Sequence, residues 1–202
     1  MKPTVAVALT GASGMPYGLR LVETLIRAEA RVYLLYSQAA HVVAKQELDI
    51  ALPPRASDAE RMFGERYSAK PGQLRVFGRE DWFAPVASGS NPPDAMVICP
   101  CTVGTLAAVA AGLSDNLIER AADVTLKEGR KLILVPRETP FSALHLENML
   151  KLARAGAVIL PANPGFYHRP KRVEDLVDFI VARILDHLGV EHDLMHRWGE
   201  ER

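Results

Sequence analysis

The chain has 202 residues, enough for one sizeable α/β core and too few for two ordinary domains. Lys plus Arg (24) equals Asp plus Glu (24), which excludes the net basic field that draws nucleic acid or anionic membranes, so any anion must be met by a local cluster. The two cysteines, Cys99 and Cys101, flank a single proline, a spacing that makes neither a disulfide framework nor the usual zinc pair.

In chain order, "TVAVALT" predicts a first strand, followed by the glycine turn "GASGMPYG" and a helix over Met15 to Ala28. A second strand, "ARVYLLYS", precedes a helix over Ala39 to Gln46. The segment from Ala51 to Gly72, rich in Pro, Ala and charge, reads as a long excursion with room for a short helix. "DAMVICP" is a third strand, followed by helices over Val103 to Ala111 and Asn116 to Glu128. "RKLILVP", a helix over Ser142 to Ala155, "GAVILPA" and a helix over Val173 to Leu188 complete the pattern. Each strand is a near-continuous apolar run, as expected of strands buried on both faces, and the strand–helix alternation predicts a Rossmann-like three-layer α/β sandwich with a mostly parallel central sheet. The expectation is one domain over 1–202, with the tail from about 189 docked through Trp198 at a subunit contact. With no secretory pattern and no apolar run of roughly 18 residues or more, the expected setting is the reducing cytoplasm.

In open parallel sheets ligands gather at the C-terminal strand ends, and the turns there carry the informative residues. Glycines 11, 14 and 18 fit neither the dinucleotide GxGxxG nor the GxxxxGK[ST] phosphate loop, yet Ser13 lies where backbone N–H groups and a helix N-terminus receive a phosphate. "CPCTVGT" places Thr102 and Thr105 at a second strand end, either as helix caps or as hydrogen-bond donors to a phosphate or ribityl chain, and Ser37 is a third strand-end hydroxyl. Two such turns at strand ends favour a mononucleotide. Arg120, Asp123 and Lys127 share one helix face, either a solvated ion-pair face or part of an anion site. In "PRETPFS", Arg137 supplies a planar fork for phosphate and Glu138 a proton for a leaving group; a turn with a surface ion pair is the plainer alternative. "PANPGFYHRP" presents Tyr167, and Arg183 follows on the last helix. Cys101, with no activating histidine near it in sequence, reads as a packed, inert thiol, and the six histidines show no metal-ligand spacing, so no metal site is expected.

Taken together, "GASGMPYG", "NLIERAADVTLKEGRKLILVPRETPFS", "HLENMLKLARAGAVILPANPGFYHRP" and "VEDLVDFIVARILDHLG" resemble the UbiX/Pad-type flavin prenyltransferases of the flavoprotein superfamily over almost the whole chain. The resemblance implies an enzyme that joins the dimethylallyl group of dimethylallyl monophosphate to N5 and C6 of reduced FMN. The product, prenylated FMN, is the cofactor of UbiD-type decarboxylases, and the family forms homododecamers. It further implies that Gly11, Ala12, Ser13, Ser37, Thr102, Val103, Gly104, Thr105 and Arg137 hold FMN. Ser88, Arg120, Lys127, Arg137, Glu138, Tyr167 and Arg183 match positions around the prenyl phosphate, some contributed across subunit contacts. Ser13 and Glu47 match groups beside the reacting flavin, and Trp82 an aromatic wall of the prenyl pocket. The rivals are an FMN-dependent decarboxylase of the phosphopantothenoylcysteine type, which is expected to carry a catalytic His and a redox Cys, and a flavin carrier, which has no use for a second phosphate cluster.

Overall fold

In the computed structural model, which describes residues 2–195, six strands form one sheet. They are β1 (Thr4–Leu9), β2 (Arg31–Tyr36), β3 (Leu74–Val76), β4 (Ala95–Cys101), β5 (Lys131–Pro136) and β6 (Val158–Ile159), in the spatial order β3-β2-β1-β4-β5-β6. Every neighbouring pair is parallel, so the sheet is wholly rather than mostly parallel. The apolar runs follow from this geometry. Val5, Val7 and Leu9 of β1 enter one core and Ala6 and Ala8 the other, so strand residues on both faces must be apolar.

The helices are α1 (Met15–Arg27), α2 (Gln38–Leu48), α3 (Ala56–Tyr67), α4 (Val103–Ala111), α5 (Leu117–Lys127), α6 (Ala143–Arg154) and α7 (Val173–Leu188). α1, α2, α3 and α7 cover the first face through residues such as Leu21, Ala44, Phe63 and Ile180. α4, α5 and α6 cover the second through Leu106, Leu117 and Leu152. Each buried Leu, Ile or Phe contributes about 1.5–3 kcal/mol, which sets the scale of what holds the layers together. A forked ion pair adds orientation: Arg20 on α1 donates from Nε and Nη2 to Asp178 on α7 at 2.7 and 3.1 Å.

The excursion after α2 holds a full twelve-residue helix, α3, and ends in the three-residue edge strand β3, which the sequence pattern did not predict. β6, by contrast, keeps two residues of its seven-residue apolar run as strand. The expected docking of Trp198 lies outside the described residues. Among the described residues, no helix is long and apolar enough to cross a membrane.

One consequence of the strand order positions the site. All C-terminal strand ends lie along one edge, and the order reverses between β1 and β4, so the chain leaves these neighbours in opposite directions and opens a crevice between them.

Candidate active site

A cavity of about 360 Å³ occupies that crevice, and helix N-termini converge on it. Ser37, Gln38 and Ala39 bring in the start of α2, while Thr102, Gly104 and Thr105 bring in the start of α4. Asn116, Ile118 and Glu119 form the start of α5 on a third side. The cap reading holds for Thr102, whose Oγ1 accepts from Thr105 N at 3.0 Å, and Ser37 caps α2 in the same way, its Oγ accepting from Ala40 N at 3.2 Å. The earliest N–H groups of α2 and α4 (Gln38, Ala39, Val103 and Gly104) have no acceptor within their own helices. Unpaired N–H groups and the positive ends of helix dipoles suit an anion such as the phosphate of a mononucleotide.

The two turns are stitched together by Thr10, whose Oγ1 donates to Pro100 O at 2.7 Å and accepts from Thr102 N at 2.9 Å. Gly11 is required by close approach: a Cβ there would lie 2.4 Å from Ala39 Cβ, so any side chain pushes α2 away from the crevice. Ala12 is buried behind this turn, while Ser13 is exposed at its rim. The first helix start behaves differently from the expectation of a phosphate there. Glu47 Oε2 accepts from Gly14 N and Met15 N at 3.0 and 2.9 Å, so a carboxylate of the chain already takes the N–H groups at the start of α1.

Across the crevice, at the end of β5, Arg137 Nε donates to Ser13 O at 3.1 Å, and the half-buried Glu138 accepts from Thr139 N through Oε1 at 3.1 Å. Ser13, Glu47 and Arg137 therefore surround one turn. Cys99 and Cys101 are fully buried, and burial pushes both thiols up, that of Cys101 to about 12. They stay neutral and packed at ordinary pH, as the inert reading expects.

The remaining predicted residues form two separate groups. On the α5 side, Arg120 Nε donates to Ala87 O at 3.0 Å beside Ser88, and its Nη1 pairs with Asp123 at 2.8 Å. Lys127 pairs with Glu128, and both lie against Gly89, where a Cβ would meet Lys127 Nζ at 2.7 Å. Lys127 stands ten residues beyond Leu117 on α5, about 15 Å down the helix from the end that borders the cavity. On the opposite face of the sheet, Tyr167 meets Phe179 of α7 edge-on with ring centroids 5.8 Å apart, and Arg183, one turn further, pairs with Asp186 at 2.7 Å. Trp82 is 46% exposed and its neighbour Phe83 fully so. One chain thus assembles the crevice but does not gather Lys127, Tyr167 and Arg183 around it.

The whole-chain comparisons agree on one family. The Flavoprotein family profile matches residues 1–185. The flavin prenyltransferase UbiX of Pseudomonas aeruginosa is 59% identical over 197 residues, covering 98% of this chain and 94% of that protein. The chain belongs to the flavin prenyltransferase UbiX family. Among solved UbiX structures, AnUbiX in complex with FMN and dimethylallyl pyrophosphate superposes with a TM-score of 0.88 at 39% identity, with 100% of each chain covered. A dodecameric FMN-dependent UbiX-like decarboxylase from Escherichia coli gives a TM-score of 0.85 at 38% identity, covering 98% of this chain and 100% of that one.

In this UbiX-family chain, sequence reasoning found Gly11, Ser37, Thr102, Gly104 and Thr105 of the crevice and missed Thr10, Gln38, Arg79, Asn116 and Glu119. Asn116 and Glu119 carried a detectable signal, since an Asn at a helix start caps it: Asn116 Oδ1 accepts from Ile118 N and Glu119 N at 3.0 and 3.2 Å. Arg79 carried none. It reaches the crevice only because its carbonyl accepts from Leu117 N at 2.9 Å, which ties the loop after β3 to α5.

Proposed function

We propose that this enzyme transfers the dimethylallyl group of dimethylallyl monophosphate to N5 and C6 of reduced FMN, yielding prenylated FMN for a UbiD-type decarboxylase, in the cytoplasm. The observation that carries the reading is the cavity at the β1/β4 reversal, an anion-accepting crevice in a chain that matches flavin prenyltransferases along its whole length. Ser37, Thr102 and Thr105 hold the FMN phosphate and ribityl chain with their hydroxyls, and Gly11, Ala12, Val103 and Gly104 hold it with backbone groups. Arg137, fixed to the Ser13 carbonyl, orients the ring system beside Ser13 and Glu47.

Bound reduced flavin supplies the nucleophilic N5 and C6; the rest is the work of side chains. As the bond from the prenyl C1 to phosphate oxygen breaks, negative charge grows on the departing phosphate. Ser88, Arg120, Lys127, Arg137, Tyr167 and Arg183 stabilise it. Glu138 donates a proton to the phosphate, and Ser13 with Glu47 takes up the proton released at N5. As the prenyl C3 then bonds to C6, the departed phosphate gives a proton to the prenyl C2 and takes up the one that C6 releases. Trp82 faces the allylic carbons, and its π surface stabilises their developing positive charge by about 0.5–2 kcal/mol. Because Lys127 and Tyr167 lie on different faces of the sheet, we infer that the phosphate site is completed by more than one subunit of a homododecamer.

The test is anaerobic incubation with reduced FMN and dimethylallyl monophosphate, followed by mass and absorbance analysis of the flavin. The expected result is an added prenyl group on FMN, and recovery of unmodified FMN from folded, saturated protein sinks the reading. Glu138→Gln is expected to slow transfer at least tenfold while leaving FMN affinity within about twofold, because it removes the proton donor without touching the crevice.

A further inference from the structure

The flavin reading assigns no role to Arg79, the one cationic side chain among the described residues that line the crevice. This residue lies outside the motifs that carry the family likeness, in the loop between β3 and the 3₁₀ turn Pro85–Ala87. The residue is exposed and lines the cavity, and it is the only Lys or Arg that does so among the described residues. With Gln38 it also borders a second hollow of about 220 Å³, walled by Tyr36 and Phe77, so it stands at the α2 side of the crevice, where the free N–H groups of Gln38 and Ala39 begin. Among the described residues its guanidinium makes no ion pair or hydrogen bond, whereas Arg120, Arg137 and Arg183 are all engaged.

The charge balance of the cavity leaves room for this cation. The N-termini of α2 and α4 supply about half an elementary charge each. The start of α5 adds little, because Asn116 caps it and the Glu119 carboxylate stands in its first turn and in the cavity wall. A phosphate monoester carries about −1.5 to −2 at neutral pH. Helix ends alone leave roughly one negative charge unmatched, with a carboxylate nearby to aggravate it.

Building on the FMN reading, we propose that Arg79 is a phosphate-binding residue of this chain: its guanidinium closes the crevice over the 5′-phosphate and makes the site select phosphorylated flavin over riboflavin. The backbone of Arg79 is held through its carbonyl by Leu117 N, so its side chain can be replaced without releasing the loop.

The experiment titrates wild type, Arg79→Gln, Arg79→Lys and Arg75→Gln with FMN and with riboflavin at low and high NaCl. Arg75 is an exposed β3 cation outside the cavity and serves as the charge control. For Arg79→Gln the FMN Kd is expected to rise about tenfold, as for the loss of one charge-assisted contact at a wet site, with riboflavin unchanged and the salt dependence of FMN binding flattened. Arg79→Lys is expected to recover part of the loss, and Arg75→Gln to match wild type. An FMN Kd within twofold of wild type in Arg79→Gln, or an equal loss for both flavins, overturns the proposal while leaving the FMN reading in place. Failure of the wild type to bind FMN at all sinks that reading and takes this proposal with it.

Discussion

Glu47 closes the start of the first helix from the end of the second: both of its carboxylate oxygens lie within 3.1 Å of Gly14 N. A group expected to serve the reacting flavin therefore also holds the turn that carries Ser13. Glu47→Gln keeps one acceptor and loses the charge, so stability is expected to fall by about 1 kcal/mol in chemical denaturation. Prenyl transfer at saturating substrate is expected to fall at least tenfold in the folded variant. An unchanged rate would leave Glu47 a helix cap and nothing more.

Gly11→Ala places a methyl group 2.4 Å from Ala39 Cβ, at the seam between the first turn and α2. Backbone on both sides must move apart, and the free N–H groups of Gln38 and Ala39 move with it. FMN affinity is expected to drop more than tenfold while far-ultraviolet circular dichroism stays native. Wild-type affinity would show that the seam tolerates the shift.

Thr102 is a cap whose hydroxyl also reaches Thr105 Oγ1, at 2.9 Å. Thr102→Ala is expected to cost about 1 kcal/mol of stability and to weaken FMN binding, whereas Thr102→Ser, which keeps the oxygen, is expected to restore both. Equal effects from the two substitutions would point to the methyl group instead.

A site shared between subunits can be tested by complementation. Lys127→Ala and Glu138→Gln are each expected to abolish most transfer. If the two residues serve the same phosphate from different chains, co-expressed mixed oligomers contain some sites with both residues intact, and part of the activity returns. Mixed oligomers no more active than either parent would place both residues in the same chain's site.

Both cysteines are buried and free, with thiols held above their ordinary value of 9.0 by desolvation. A raised folded-state value means that the unfolded chain ionises first. Their contribution is therefore fully present below about pH 9 and declines as pH rises toward 12 and beyond. Native protein at pH 8 is expected to resist a thiol reagent that labels both residues in denaturant. Rapid labelling of Cys101 in the native state would reopen its reading as a nucleophile.

The fold was largely legible because a parallel sheet covered on both faces writes itself as uninterrupted apolar runs; Val5 to Leu9 serves two cores at once. β3 was not legible, since three residues at an edge with an exposed Arg75 carry no such run. In the site, Ser37 and Thr102 were visible because capping demands a short hydroxyl side chain, whatever else the residue does. Arg79 and Gln38 were not, because their place in the crevice depends on which strands are neighbours and on one loop-to-helix hydrogen bond. The separation of Lys127 from Tyr167 was equally invisible: residue type indicates what binds phosphate, and only topology says which face of the sheet it occupies.

The Arg20–Asp178 clamp joins a helix made early in synthesis to the last helix of the described residues. At about 5–20 residues per second, the ribosome leaves α1 without α7 for roughly 8–30 s, so the clamp and the core that both helices enter are completed late. A chain stopped anywhere before α7 lacks Ile180, Val181, Ile184 and Leu185 from the core they share with α1, and with them the partner of Arg20.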